Sequence, residues 1–207
     1  MNVFQAKTHR LNIGVPGLIL ALVFVMACVS SPQETATSQV PISPNYIYYH
    51  IDGSTVDELR SQMDKRGYTD TSGQHWDAYT DWDVSWSYPY SRTDAKCSAG
   101  PVQATVAITF TFPTWHIPKG THPDVIGKWN DYMDSLEAHE NGHKEIAIAA
   151  AYAAVEILEA LPAYPSCSEL ELAADNAAQD VLQQYRQREA TYDQTTDHGA
   201  TQGASFP

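Results

Sequence analysis

Positive charge is scarce in this chain. Twelve Lys and Arg stand against 25 Asp and Glu, a formal net charge of −13 over 207 residues. A phosphate backbone would be repelled, and no basic stripe interrupts the acidity, so nucleic acid is excluded as a partner. Internal repeats are absent, which excludes a repeat array. Cysteine is limited to positions 28, 97 and 167. There is one long apolar run free of charge, LNIGVPGLILALVFVMAC at residues 11–28. It is short for a membrane-spanning helix.

That run has the shape of a secretory signal. Lys7 and Arg10 give it a basic start, and it ends in Val25-Met26-Ala27-Cys28. These four residues resemble a bacterial lipobox, in which Cys28 takes a lipid and becomes the first residue of the mature chain. A plain cleaved signal and an uncleaved anchor fit the same pattern, and all three export the domain. The expected organisation is a lipoprotein signal over 1–27, a flexible tether over 28–45 and one folded domain over 46–207, exported to the periplasm on a membrane anchor. The tether is rich in Ser, Thr, Pro and Gln and has no apolar period. In an oxidising compartment Cys97 and Cys167 are expected to form a disulfide.

The folded part begins with YIYYHI (46–51), an aromatic and β-branched strand closed by Asp52-Gly53. Thr55 can cap a helix that Gly67 ends. Trp82, Val84, Trp86 and Tyr88 alternate with polar residues, as do Val106, Ile108, Phe110 and Phe112. Period two predicts two strands with one apolar face each, pairing antiparallel across the loop SRTDAKCSAG. Pro123 opens a helix predicted over 124–161, PAYPSC breaks it, and a second helix is predicted over 168–188. The last residues show no helical or strand period.

The chemistry lies in LEAHENGHKEIA, residues 136–147. His139 and His143 stand at i and i+4, so a helix puts both imidazoles on one face, where they can bind one tetrahedral ion. In H-E-x-x-H sites the glutamate, here Glu140, is not a ligand but takes a proton from the attacking water and passes it to the leaving amine. Gly142 costs about 1 kcal/mol inside a helix, which points to a close approach by another element. A zinc enzyme needs a third protein ligand and one open position. Ile146 and Ala149 occupy the places where a metzincin would continue its motif. Glu156, on the same helix, lies about 20 Å along the axis from His143, out of reach. Glu169, Glu171 and His198 remain as third ligands.

The stretches YYHIDGSTVDEL, YTDWDVSWSY, FTFPTW, HENGH and YDQTTDHGATQGASFP, with Cys97 and Cys167, together resemble a bacterial domain-of-unknown-function family described as predicted secreted zinc-dependent proteases. The resemblance covers Tyr46 to the C-terminus. It implies an α+β, zincin-like domain, with a small antiparallel or mixed sheet packed on a long HExxH helix and a second C-terminal helix. It also favours His198 as third ligand. The expected function is a zinc metallopeptidase: Zn²⁺ held by His139, His143 and His198, Glu140 as base, and a peptide or protein as substrate. Strand 104–112 is expected to be an edge that aligns the peptide, and Tyr192 to stabilise the oxyanion. The alternative is a non-catalytic zinc-binding or structural envelope lipoprotein.

Overall fold

The computed structural model describes residues 40–93 and 95–207. The signal, Cys28 and the tether up to residue 39 lie outside the described residues. The domain has an α+β architecture: a three-stranded mixed sheet, two short hairpins, and three α-helices.

The sheet is built round β7 (Gln103–Trp115), its longest strand at 13 residues. β1 (Ile42–Ile51) pairs with it in parallel, and β4 (Tyr79–Ser87) antiparallel, with Trp82 opposite Ile108 and Val84 opposite Val106. The predicted antiparallel pair is therefore present. β7 is central, however, and not an edge, because β1, which contains the strand expected at 46–51, pairs along its other side. β1 also starts at Ile42, ahead of Tyr46, within the stretch expected to be tether. Ala104, Val106, Ile108, Phe110 and Phe112 of β7 are buried with Thr80, Trp82 and Val84 of β4. Asp81, Asp83, Ser85 and Thr105 on the other face are exposed. Alternation along each strand thus separates a core face from a wet one.

Helix α1 (Val56–Arg66) carries the full capping box at Thr55 and Glu58 and buries Leu59 and Met63. The hairpin of β2 (Tyr68–Thr69) and β3 (His75–Trp76) follows, and leads into β4. The expected loop between β4 and β7 contains a second hairpin, β5 (Tyr90–Arg92) with β6 (Cys97–Ala99). Helix α2 (Pro123–Glu159) is 37 residues long, about 55 Å. Its second half is rich in alanine, and Ala147, Ala150, Ala151 and Ala154 are fully buried. Helix α3 (Cys167–Thr196) packs beside it and buries Leu170, Ala174 and Ala178. It runs well past the predicted end at residue 188. Beyond that point its inward residues are polar, so the apolar period stops while the helix does not.

Cys97 and Cys167 are bonded, with their Cα atoms 5.0 Å apart. The disulfide ties the β6 hairpin to the first turn of α3. Backbone hydrogen bonds between Cys97 and Tyr164, 2.7 and 2.8 Å, brace the same joint. The bond closes a loop of 70 residues, so replacing either cysteine by serine should cost about 2–5 kcal/mol. Thermal melting of each mutant checks this. A melting temperature unchanged from the oxidised parent would contradict it.

Candidate metal centre

The buried stripe of α2 changes chemistry at its middle. Trp129, Tyr132 and Leu136 precede His139, Glu140 and His143, and Ala147, Ala150 and Ala151 follow. The spacing stays helical throughout, so three ionisable side chains stand where apolar ones would close a core. Burial of such groups is unfavourable unless they find partners. The partners come from β4, from α3 and from the chain after α3.

His139 Nδ1 pairs with Gln202 Oε1 at 2.9 Å. Its ring stacks on Tyr192, centroids 5.0 Å apart. This leaves Nε2 pointing at His143 Nε2, 3.2 Å away. Asp193 Oδ1 lies 3.3 Å from His139 Nε2 and 3.0 Å from His143 Nε2. Three donor atoms therefore form a triangle with sides of 3.0, 3.2 and 3.3 Å. Ligand atoms about 2.0 Å from a shared tetrahedral ion lie about 3.3 Å apart. The donor set and its spacing could hold a metal ion. The second nitrogen of each histidine also meets protein. Gln202 fixes His139, and Glu189 Oε1 faces His143 Nδ1 at 3.4 Å, without hydrogen-bond alignment. Outer partners of this kind orient metal-ligating imidazoles. Glu189 is itself held by the Trp82 indole N–H at 2.9 Å and by Arg186 at 3.3 Å.

Glu140 is 4% exposed and accepts a 2.6 Å hydrogen bond at Oε2 from the Thr80 hydroxyl. Burial pushes its carboxyl above the usual range, against the pull of Thr80 and the two histidines. Asp193 is held well below the usual carboxylate range. Burial opposes this, but hydrogen bonds from His139 and His143 outweigh it.

Two glycines allow the close approach of α3 and the tail. A Cβ on Gly142 would stand 2.2 Å from the Tyr192 hydroxyl oxygen. Gly199, at φ 85°, turns where a Cβ would stand 2.9 Å from His139 Cγ. Phe206 then buries its ring against Trp129 and Tyr132, 5.8 and 5.1 Å between centroids. The C-terminal residues fold back over α2 as the third-ligand expectation required.

The structure brings together His139, Glu140 and His143, and it draws the third donor from Asp193. His198 stands at the rim, half exposed, with Nδ1 3.8 Å from Asp193 Oδ1. It is not one of the three converging donors. Glu169 is occupied in the capping box with Ser166, and Glu171 is exposed on the next turn. Both lie more than about 30 Å along α3 from Asp193. Tyr192 turns its hydroxyl to the His139 carbonyl oxygen at 3.2 Å. Asp193, Glu189, Thr80 and Gln202 were not singled out by the sequence reading. The signal for two of them was present: Glu189 and Asp193 continue the inward spacing of Leu182 and Tyr185 in polar form.

These elements define an α+β domain built round a buried two-histidine, one-carboxylate cluster able to accept a metal. Residues 46–199 match the model of the family described as "Bacterial protein of unknown function (DUF922)", and the chain belongs to that family. No curated protein and no solved structure matches the chain.

Two outcomes follow from this geometry. Gly142→Ala forces Tyr192 outward, so it should cost about 1–3 kcal/mol and weaken metal uptake. A variant with parental melting temperature and parental metal affinity would contradict the packing. In the metal-free domain His143 should keep its proton to about pH 10. Burial disfavours the charged ring, but Asp193, Glu189 and Glu140 outweigh it. The folded value lies above the unfolded one of about 6.5. The stability it contributes is therefore complete below that pH and is lost as pH rises through the folded value. Imidazole NMR shifts followed against pH read this directly. Titration near pH 6.5 would contradict it.

Proposed function

We propose that this protein is an exported zinc-dependent metallopeptidase with a zincin-like arrangement of its HExxH helix. The observation that carries the reading is the triangle of His139 Nε2, His143 Nε2 and Asp193 Oδ1 with the Glu140 carboxylate beside it on α2. Two imidazoles and a carboxylate suit zinc and leave a fourth position open. When bound, the ion supplies Lewis acidity, which polarises a scissile carbonyl and acidifies a water. Glu140 accepts the proton of that water and delivers it to the leaving amine. Thr80 holds Oε2 and so aims the carboxylate. Gln202 and Glu189 keep the two imidazoles in register with Asp193.

The donors line a cavity of about 440 Å³ whose wall also includes Trp76, Tyr79 and Thr80. β4 starts in this wall and is an edge strand of the sheet as described. An extended peptide would lie along β4, not along β7, by main-chain pairing. The sequence expectations of export, periplasmic location and a lipid on Cys28 complete the reading: an anchored enzyme working on peptide or protein substrates outside the cytoplasm.

Replacing Glu140 by Gln should leave metal content intact and lower peptide hydrolysis by about 10²–10⁴-fold. Asp193→Ala should lose the metal as His143→Ala does, whereas Glu169→Ala should not. Undiminished hydrolysis by Glu140→Gln would sink the catalytic assignment. A metal-loaded parent that cleaves no peptide would instead favour a zinc-binding envelope protein without turnover.

A further inference from the structure

His198 is outside the donor triangle, yet its position is strongly determined. After α3 ends, the chain turns through Asp197 at φ 50° and His198 at φ 49°, two consecutive left-handed residues that are not glycine. Such backbone is unfavourable for residues with a Cβ and persists where the surroundings fix it. The fixing contacts are on both sides. The His198 amide donates to the Asp193 carbonyl oxygen at 2.8 Å. The imidazole lies on Trp76, centroids 4.5 Å apart. Trp76 is in turn held by its indole N–H, which donates to Asp70 Oδ2 at 2.9 Å.

This backbone turns the ring into the cavity. His198 lines the same 440 Å³ space as His139, Glu140, His143 and Asp193. Its Nδ1, 3.8 Å from Asp193 Oδ1, is too far for a hydrogen bond and has no hydrogen-bond partner among the described residues. Tyr192 does not line the cavity, and its hydroxyl is committed to the His139 carbonyl oxygen and packed against Gly142. The sequence reading gave His198 to the metal and the oxyanion to Tyr192. Neither is among the three converging donors, and of the two only His198 lines the cavity.

We propose that His198 binds no metal and instead donates a hydrogen bond to the anionic oxygen that develops when a carbonyl is attacked at this cluster. The assignment rests on the metallopeptidase reading for its natural substrate. Its geometry does not, because an anionic oxygen seated beside the donor triangle meets the same ring. No bond to His198 forms or breaks. The proton released by water goes to Glu140 and then to the amine, and His198 contributes a donor already in place before charge develops. A preorganised donor of this kind favours the transition state over the planar substrate.

The test uses the full chain loaded with cobalt(II) and titrated with acetohydroxamate, read by visible absorption. His198→Gly removes the ring at a backbone conformation that glycine adopts freely. His198→Asn, also tolerant of the left-handed region, is the second variant. Both should bind cobalt within about twofold of the parent and bind acetohydroxamate about tenfold more weakly, the loss expected for one hydrogen bond to a charged group. A fall in cobalt affinity like that of His143→Ala would make His198 a ligand and overturn the proposal. Unchanged acetohydroxamate affinity would overturn it too, and so would a parent chain that takes up no cobalt. If the parent shows the expected dependence on His198 but cleaves no peptide, the peptidase reading fails and the His198 assignment stands.

Discussion

The contact between Asp193 and His143, 3.0 Å across the interface of the two long helices, sets the terms for the rest of the domain. It places a carboxylate and an imidazole in the buried seam between α2 and α3, where unpartnered charge would be strongly destabilising. The contact exists only if α3 can lie close to α2 along its length. The sequence provides for this with small residues: Ala147, Ala150, Ala151 and Ala154 on one side, Ala174 and Ala178 on the other, all fully buried. Gly142 extends the same logic to the site itself by admitting Tyr192. The disulfide fixes the far end of α3 to the β6 hairpin, and polar contacts hold its other end against α2.

The sheet supports the seam from a third direction. Thr80 and Trp82, on alternate positions of β4, reach Glu140 and Glu189. The start of β4 is braced by Asp77. Its carboxylate accepts hydrogen bonds from Arg60 of α1 and, at 2.6 Å, from the Tyr132 hydroxyl of α2. Its carbonyl oxygen accepts from the Tyr49 hydroxyl of β1 at 2.7 Å. Burial, reinforced by the charge of Asp77, pushes both tyrosine hydroxyls upward, so they stay protonated donors. Four elements thus meet at one aspartate that adjoins the cavity without belonging to the donor set. Arg186 closes the outer side, stacking 3.5 Å above the Trp82 ring and donating to its carbonyl oxygen.

Much of this was legible in the residues because the responsible forces are local. Period-two alternation marked β4 and β7, the Thr55 cap marked the start of α1, and the i, i+4 histidines marked one face of α2. The pairing of Cys97 with Cys167 followed from compartment and number. What stayed hidden depended on contacts far apart in sequence. Asp193 continues the inward spacing of Leu182, Tyr185 and Glu189 in polar form, and its meaning comes from the facing histidines. β7 was expected at an edge because the strand expected at 46–51 was given no partner, and β1 pairs along β7 from Ile42 to Ile51. Tyr192 and His198 were assigned by nearness along the chain. α3 itself carries Tyr192 to the back of the site, and the left-handed turn after Thr196 brings His198 to its mouth.

The identity of the three donors decides what this site can hold. X-ray absorption of the zinc-loaded protein reads them most directly, since it distinguishes imidazole shells from light oxygen donors and counts both. The account predicts four-coordinate zinc with two imidazole nitrogens and two oxygen donors at about 2.0–2.2 Å. Asp193→Ala should abolish that signature. Three imidazoles round the metal, or a six-coordinate site, would contradict it.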